Sequence, residues 1–541
     1  MRRRSRKEFW RFVSLGSASI LSGCNALNAL PGVDLAPPYE PPELIVPASW
    51  RGSSPFVIAC PSDAEIRPDW WKLFREPALD NLEMQAMAAN PDLQAAAERF
   101  VQARDIMMKA QSRFFPQLGL GYGASDNKQS VNALFRAPDS PIYDTSVSDL
   151  GIASWEPDFW YAIRNETRAQ IYHAERRAAE FALARLSLQA EIATDYFTLR
   201  GYDAQIMTYK QSIEYYKKSL AIVNEQFMGK IASELDVARA KALLTGTEAK
   251  LLEMQGERDV VEHALAILVN TAPASFKVAA SSNFKVTPLK IPRSIPSTLL
   301  ERRPDIAAAE REMAQSNREI GVARAAFFPK VKFKLDGGFE DHAMNLVKLS
   351  NSFWSYGSMI SLPVFEGGLR RAQLQQSWSV YREKEDRYRS TVLNAFREVE
   401  NGLSLTKRLS AAAKKLDETV AANLLTQNLT MDLYRGGLGT SLELIYAQVA
   451  TITARIDAIK VKTRLITSTV GLVRALGGGW NRGELPVDNE IEPFGPLQYQ
   501  YLSTPLPAGG IAVPPQNFPE DNNLTQSPAY QRSPVVRDGT S

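Results

Sequence analysis

Cysteine and histidine are nearly missing from this chain. Its 541 residues hold two cysteines, Cys24 and Cys60, and three widely separated histidines, His173, His263 and His342. Two thiols form one disulfide at most, which excludes a disulfide framework and a cysteine-rich metal site. The histidines offer no metal-ligand spacing, and no nucleophile elbow is present, so an enzyme is poorly supported and no cofactor is expected. Charge of one sign is also lacking: 63 Lys+Arg against 60 Asp+Glu leave a net +3. That balance argues against a nucleic-acid partner. No apolar run reaches 18 residues, so no transmembrane helix is expected. A membrane role would have to come through strands or a lipid.

What is present begins with a basic cluster, Arg2, Arg3, Arg4, Arg6 and Lys7, followed by an apolar stretch from Phe12 to Leu21 and then Ser22-Gly23-Cys24. This reads as a secretory signal over 1–23. Its end resembles the lipobox of bacterial lipoproteins, which implies that Cys24 becomes the acylated first residue of the mature chain. Asn25 follows, where aspartate would imply inner-membrane retention, so the resemblance leans to the outer membrane. Residues 24–68 are rich in proline and read as an extended, lipid-anchored tether, in which Cys60 is a plain thiol. Trp70-Trp71-Lys72-Leu73-Phe74 opens the folded part.

The folded part is an internal repeat. Pro304-Asp305 through Phe327-Phe328-Pro329 echoes Pro91-Asp92 through Phe114-Phe115-Pro116, 213 residues earlier and without a gap. The first copy starts as an Ala-rich helix, 91–113, without internal Pro or Gly, and the second runs as a helix to the same Phe-Phe-Pro stop. After each comes period-two alternation, the mark of strands. In the first half 117–124 is a strand, 126–145 an exposed loop and 146–157 a poorer strand. In the second half Lys330, Lys332, Lys334 and Asp336 face one way and Val331, Phe333 and Leu335 the other. A solvent-exposed sheet gives this pattern, and so does a membrane barrel strand with its charges toward the lumen. Residues 340–352 read as a loop, followed by a strand through Trp354, Tyr356, Ile360 and Leu362.

Long helices follow each strand pair. Asp158–Gln226 and 366–433 would each span roughly 100 Å at 1.5 Å per residue. Return helices cover 233–270 and 440–476, the second ending at Gly477-Gly478-Gly479. In each half the two shorter helices together nearly match the long one, which suggests end-to-end stacking beside it. The last return helix carries a heptad seam, Leu442, Ile445, Val449, Ile452, Ile456, Ile459, Thr463, Ile466, Val470 and Val473, expected of helices supercoiled side by side. The domains are therefore 69–270 for the first repeat, 271–303 for a connector, 304–480 for the second repeat and 481–541 for a low-complexity tail without periodicity. The fold class is mainly α with a small β part. Four strands per chain cannot close, and an open edge in lipid leaves backbone groups unpaired. If the strands sit in a membrane, several chains must share one barrel; arithmetic alone does not choose two over three.

The chain resembles the TolC-like outer-membrane efflux factors, in their lipoprotein branch. The resemblance is carried by Leu300 with Arg303-Pro304-Asp305-Ile306, Glu310, Phe327-Phe328-Pro329, Pro363 through Gly368, Tyr434 with Gly436, and Leu442 through Gln448. The first half adds Pro91-Asp92, Phe114-Phe115-Pro116, Gly229 through Ser233, and Leu235-Asp236. It implies a homotrimer with a 12-stranded outer-membrane barrel over a 12-helix periplasmic tunnel. It also implies a periplasmic adaptor and an inner-membrane transporter as partners, an outer-membrane lipid environment, and export of small molecules without catalysis. The turns Gly229-Lys230-Ile231 and Gly436-Gly437-Leu438 would lie at the periplasmic tip and dock the adaptor, with glycine permitting a tight helix–helix turn. Leu442 matches an apolar ring of the closed tip. Tyr446 stands where many relatives have aspartate, which removes an acidic gate. Glu443, Asp236 and Arg239 are candidates for inter-helix pairing. Trp160-Tyr161 replaces a glycine usual after the strand-to-helix bend, which implies a tighter or differently angled join. The other readings are a lipid-anchored coiled-coil scaffold or adhesin without a pore, which leaves the duplicated strand pairs unexplained, and a type I secretion exit channel.

Overall fold

The computed structural model describes residues 31–42, 50, 56–57, 68–128, 130, 132, 143–281, 291–292, 299–341 and 348–486. Cys24, Cys60, the signal segment and the tail beyond 486 lie outside the described residues. The helices are α1 (Pro77–Ala89), α2 (Pro91–Gln111), α3 (Ala162–Met228), α4 (Glu234–Leu268), α5 (Pro304–Ala325), α6 (Leu369–Arg435) and α7 (Ser441–Ala475). The strands β1 (Gln117–Lys128), β2 (Tyr143–Trp155), β3 (Lys330–Asp341) and β4 (Ser352–Ser361) form one antiparallel sheet in chain order. No helix among the described residues is long and apolar enough to cross a membrane.

In its longer helices the repeat holds to the residue. The long helices α3 and α6 have 67 residues each, and the return helices α4 and α7 have 35 each. The short helices of each half meet end to end at matching places. Asn90, just before Pro91, donates its amide to the Leu268 carbonyl at the end of α4, 2.9 Å away. Arg303, just before Pro304, donates to the Ala475 carbonyl at the end of α7, also 2.9 Å away. A helix C-terminus leaves carbonyls without intrahelical donors; in both halves the residue before the repeat's proline satisfies one.

Two stacked columns thus lie beside two long helices. Packing runs from α2/α4 to α3, from α3 to α5/α7, and from α5/α7 to α6. The chain is a single layer of four helical columns continuing into four strands. α3 is buried along most of its length, whereas α6 is buried along one narrow stripe through Tyr388, Val392, Ala395, Val399 and Leu403. The main core lies at the level of the helix junctions. There Trp70, Trp71, Phe74 and Leu79 pack with Tyr196, Phe197, Leu265, Ile306, Val392, Ile466 and Val473.

Three expectations are corrected. The loops are shorter than 126–145 and 340–352, because β1 runs to Lys128, β2 starts at Tyr143 and β3 runs to Asp341. Asn, Asp and Ser suggested loops there, but each backbone has a ladder partner. The heptad seam of α7 is buried at Ile456, Ile466, Val470 and Val473, but Leu442 and Val449 are exposed. In the tip-proximal half the in-chain contact is made by Ser441, Leu444, Ala447, Gln448, Thr451, Ala454 and Ala458. Small side chains let helices approach closely, so the bulkier seam is rotated off the in-chain contact. The bend at Trp160-Tyr161 also keeps the same kind of turn as its counterpart. Tyr161 precedes α3 in the left-handed region (φ 54°), as Gly368 precedes α6 (φ 89°).

Candidate functional site

The sheet has two chemically distinct faces. Residues directly opposite in a ladder share a face. The registers Leu118↔Ala153↔Leu335↔Tyr356 and Leu120↔Gly151↔Gly337↔Trp354 therefore join Leu118, Leu120, Tyr122, Val331, Phe333, Leu335, Trp354, Tyr356 and Ile360 on one side. Trp155 stacks on Phe333 and Trp354 on Tyr356, with centroids 6.0 and 5.6 Å apart. The opposite face is mixed: it carries Gly119, Gly121, Gly123, Ser148, Ser154, Lys330, Lys332, Lys334, Asp336 and Gly357, with Leu150, Ile152, Phe353 and Met359 among them. Lys334 pairs with Asp336 at 2.6 Å, and Lys332 lies 3.8 Å from Glu156. β1 and β4 are the sheet's two open edges.

The bend below the sheet is built from side chains of both halves. The Trp160 indole donates to the Pro329 carbonyl at 2.8 Å, and its ring stacks on Phe328 at 4.6 Å. A left-handed conformation costs a residue with a Cβ about 1–2 kcal/mol. Around Tyr161 that cost is opposed by the Arg164 guanidinium over its ring at 4.3 Å. The Asp158 carboxylate also accepts from the Ile163 and Arg164 amides at 3.0 and 2.8 Å, capping α3. The extended segment 31–42 crosses here. Val33 donates to the Phe159 carbonyl, 2.9 Å away. Asp34 accepts from Asn165 at 2.9 Å and from Arg168 and Arg318 at 3.2 Å each. These contacts hold its carboxyl below the usual range, against the opposing effect of burial. Further along, Ala36 lies over Gly321 of α5, where any Cβ would come within 2.8 Å of it. The Tyr39 hydroxyl then donates to Glu310 at 2.7 Å, and Arg482 donates to the same carboxylate at 3.0 Å. Both ends of the described chain are thus fastened to Glu310 of α5. Nothing in the sequence announces this strap, because an extended proline-rich segment has no periodicity to mark the helices it lies on.

At the far end, two turns join α3 to α4 and α6 to α7. Ser233 with Asp236 and Thr440 with Glu443 form capping boxes at matching positions, each satisfying two amide donors of a helix start. Glu443 is therefore engaged by Thr440, whose backbone and side-chain hydrogen bonds lower its pKa; in-chain it makes no inter-helix pair among the described residues. Asp236 does reach across: the Ser441 hydroxyl donates to its second oxygen, joining the two hairpins, while Arg239 sits 4.0 Å away. Hydrogen bonds from Ser441 and then Ser233 hold Asp236 below the usual carboxylate range. Leu442 and Tyr446 project outward, at 40% and 68% exposure.

The glycines of the turns differ from the sequence expectation. Gly229 and Gly436 have φ of −77° and −78°, which any residue adopts. A Cβ at either would make only ordinary contacts, the nearest at 3.5 Å. The left-handed positions are the next residues, Lys230 (φ 56°) and Gly437 (φ 76°). The turn geometry thus explains Gly437 but leaves Gly229 and Gly436 to another cause.

A duplicated protomer with an open four-stranded sheet, continuously apolar on one face and mixed, with all three strand lysines, on the other, over helices of roughly 100 Å, is the protomer of an outer-membrane channel. The chain belongs to the outer membrane efflux protein family, which matches residues 82–271 and 295–478. It is thereby a bacterial outer-membrane efflux component. It is similar to the probable efflux pump outer membrane protein TtgC of Pseudomonas putida, 28% identical over 468 residues that cover 85% of this chain and 96% of that protein. It is also similar to the cation efflux system protein CusC of Escherichia coli, 26% identical over 475 residues covering 86% and 100%. In structure it is similar to the outer-membrane channel OprN, with TM-score 0.77, 26% identity and coverage of 83% and 100%.

Proposed function

We propose that three copies of this chain close one 12-stranded barrel and one 12-column helical tube, forming the passive exit duct of a tripartite efflux pump. The carrying observation is the sheet: four strands with one apolar face and two open edges. Each edge left unpaired in lipid exposes backbone groups at several kcal/mol apiece. Single-chain barrels begin at about eight strands, so closure calls for more than one copy. Three copies, rather than two, follow the family's known assembly. In this duct no covalent step occurs and no cofactor is needed; the energy comes from an inner-membrane transporter through a periplasmic adaptor. Cys24, once acylated, lies seven residues before Pro31, a reach of at most about 25 Å. The strap passes the bend at the base of the sheet, so the lipid would sit level with the barrel's periplasmic rim.

The tip turns Gly229-Lys230-Ile231 and Gly436-Gly437-Leu438 are the adaptor's docking surface in this reading. The support is that Gly229 and Gly436 lack a Cβ where the turn would accept one, and that Ile231 and Leu438 are exposed at 80% and 82%. Leu442 and Tyr446 form the constriction just inside, a steric closure rather than an acidic one. Asp236 with Ser441 and Arg239 is the latch between hairpins, and Glu443 secures its own helix start. The cargo is small molecules; relatives of similar identity are named for a general efflux pump and for cations, so overall similarity does not select it. The test is export by cells carrying Gly436→Leu or Leu438→Trp with adaptor and transporter present. Export should fall at least tenfold while trimer yield in the outer membrane stays at the parental level. Undiminished export would remove the docking role.

A further inference from the structure

We propose that Lys330, Lys332 and Lys334 form an anion-attracting belt at the inner mouth of the barrel, making them specificity-determining residues for anionic cargo; this rests on the trimeric duct. The three lysines occupy alternate positions at the helix-proximal start of β3, all on the face opposite Val331, Phe333 and Leu335. If the apolar face meets lipid, all three ammonium groups project into the lumen where the tube opens into the barrel. Their base is fixed, because Pro329 receives the Trp160 indole hydrogen bond. Two of them are balanced in part, Lys334 by Asp336 at 2.6 Å and Lys332 by Glu156 at 3.8 Å. Lys330 is exposed and has no carboxylate partner among the described residues. Among these lysines and the two carboxylates paired with them, each protomer therefore carries one excess positive charge.

Magnitudes decide whether that charge reaches the cargo. Twelve strands 4.8 Å apart and tilted about 40° enclose a backbone radius of about 12 Å. A lysine side chain spans about 6 Å, leaving about 6 Å from ammonium to axis, inside the Debye length of about 8 Å at physiological salt. An anion on the axis is therefore within unscreened reach of three protomers at once. At 1 M salt the Debye length falls to about 3 Å and the belt is screened. The acidic residues Glu340 and Asp341 at the other end of β3 lie ten residues on, about 33 Å along the strand. That is about four Debye lengths, so the two ends act separately.

The test is block of single-channel current by tripolyphosphate in planar bilayers at 0.15 M KCl. The native channel should be blocked. Lys330→Glu should raise the half-blocking concentration at least tenfold, Lys330→Gln should fall between, and 1 M KCl should abolish the block. Only inserted, conducting channels are read, so misfolded variants do not contribute. A conducting native channel that tripolyphosphate leaves unblocked, or a block that Lys330→Glu leaves unchanged, overturns the belt. Failure to conduct even with the constriction opened by Leu442→Ala and Tyr446→Ala overturns the duct itself.

Discussion

At the scale of single residues, two side chains run against local preference. Glu83 of α1 is fully buried, with neither carboxylate oxygen hydrogen-bonded. Burial, then the neighbouring Asp80, pushes its pKa well above the ordinary carboxylate value. The folded chain therefore holds a proton there more tightly than the unfolded chain. Its stabilising effect is full below the unfolded pKa of about 4.3 and is lost as pH rises toward the folded value. Glu83→Gln should remove this slope. In thermal melts from pH 5 to pH 8, the melting temperature of the variant should fall less than that of the parent; parallel curves would show that Glu83 is solvated. Lys230 is the second case, a lysine held at φ 56° where the matching turn uses Gly437. Lys230→Gly should relieve about 1 kcal/mol of backbone strain, raising the denaturant midpoint, whereas Gly437→Ala should lower it by a similar amount. Positive φ at Lys230 was not legible in the sequence, where the glycine before it drew the turn one residue early.

At the scale of elements, the junctions of short helices are the most informative places. Arg303 is buried and donates to both oxygens of Asp305 at 2.9 and 2.6 Å, to Glu398 of α6 at 2.8 Å and to the end of α7. Asn90 makes the equivalent junction with one amide and no charge. Removing one partner of a buried ion pair costs about 3–5 kcal/mol, against about 0.5–2 kcal/mol for a lost helix cap. Arg303→Ala should therefore destabilise the chain more than Asn90→Ala does, as read by chemical denaturation in detergent; equal losses would mean the ion pairs add nothing. Element order and end-to-end stacking were legible, because Pro91 and Pro304, the tip glycines and the long helices carry strong local signals. The rotation of α7 was not. Its apolar heptads announced a seam, but the choice between that seam and the small residues beside it is made by the spacing of the helices. The strap was likewise invisible, since Asp34 and Tyr39 meet partners nearly 300 residues away.

At the scale of the whole molecule, one chain is an incomplete object. Its sheet ends in two open edges, its helical layer has free sides at α2/α4 and α6, and apolar residues such as Leu118, Leu120, Leu252, Val260, Leu425 and Leu429 are exposed. Closing the layer on itself with further copies covers the edges and encloses a bore in one step. That incompleteness was readable from the count of four strands per chain, whereas the charge arrangement of the bore required the registers. The most direct test is native mass spectrometry of the protein extracted folded from the outer membrane. The account predicts a species of three times the chain mass and no folded single chain; a folded, water-soluble monomer would contradict it.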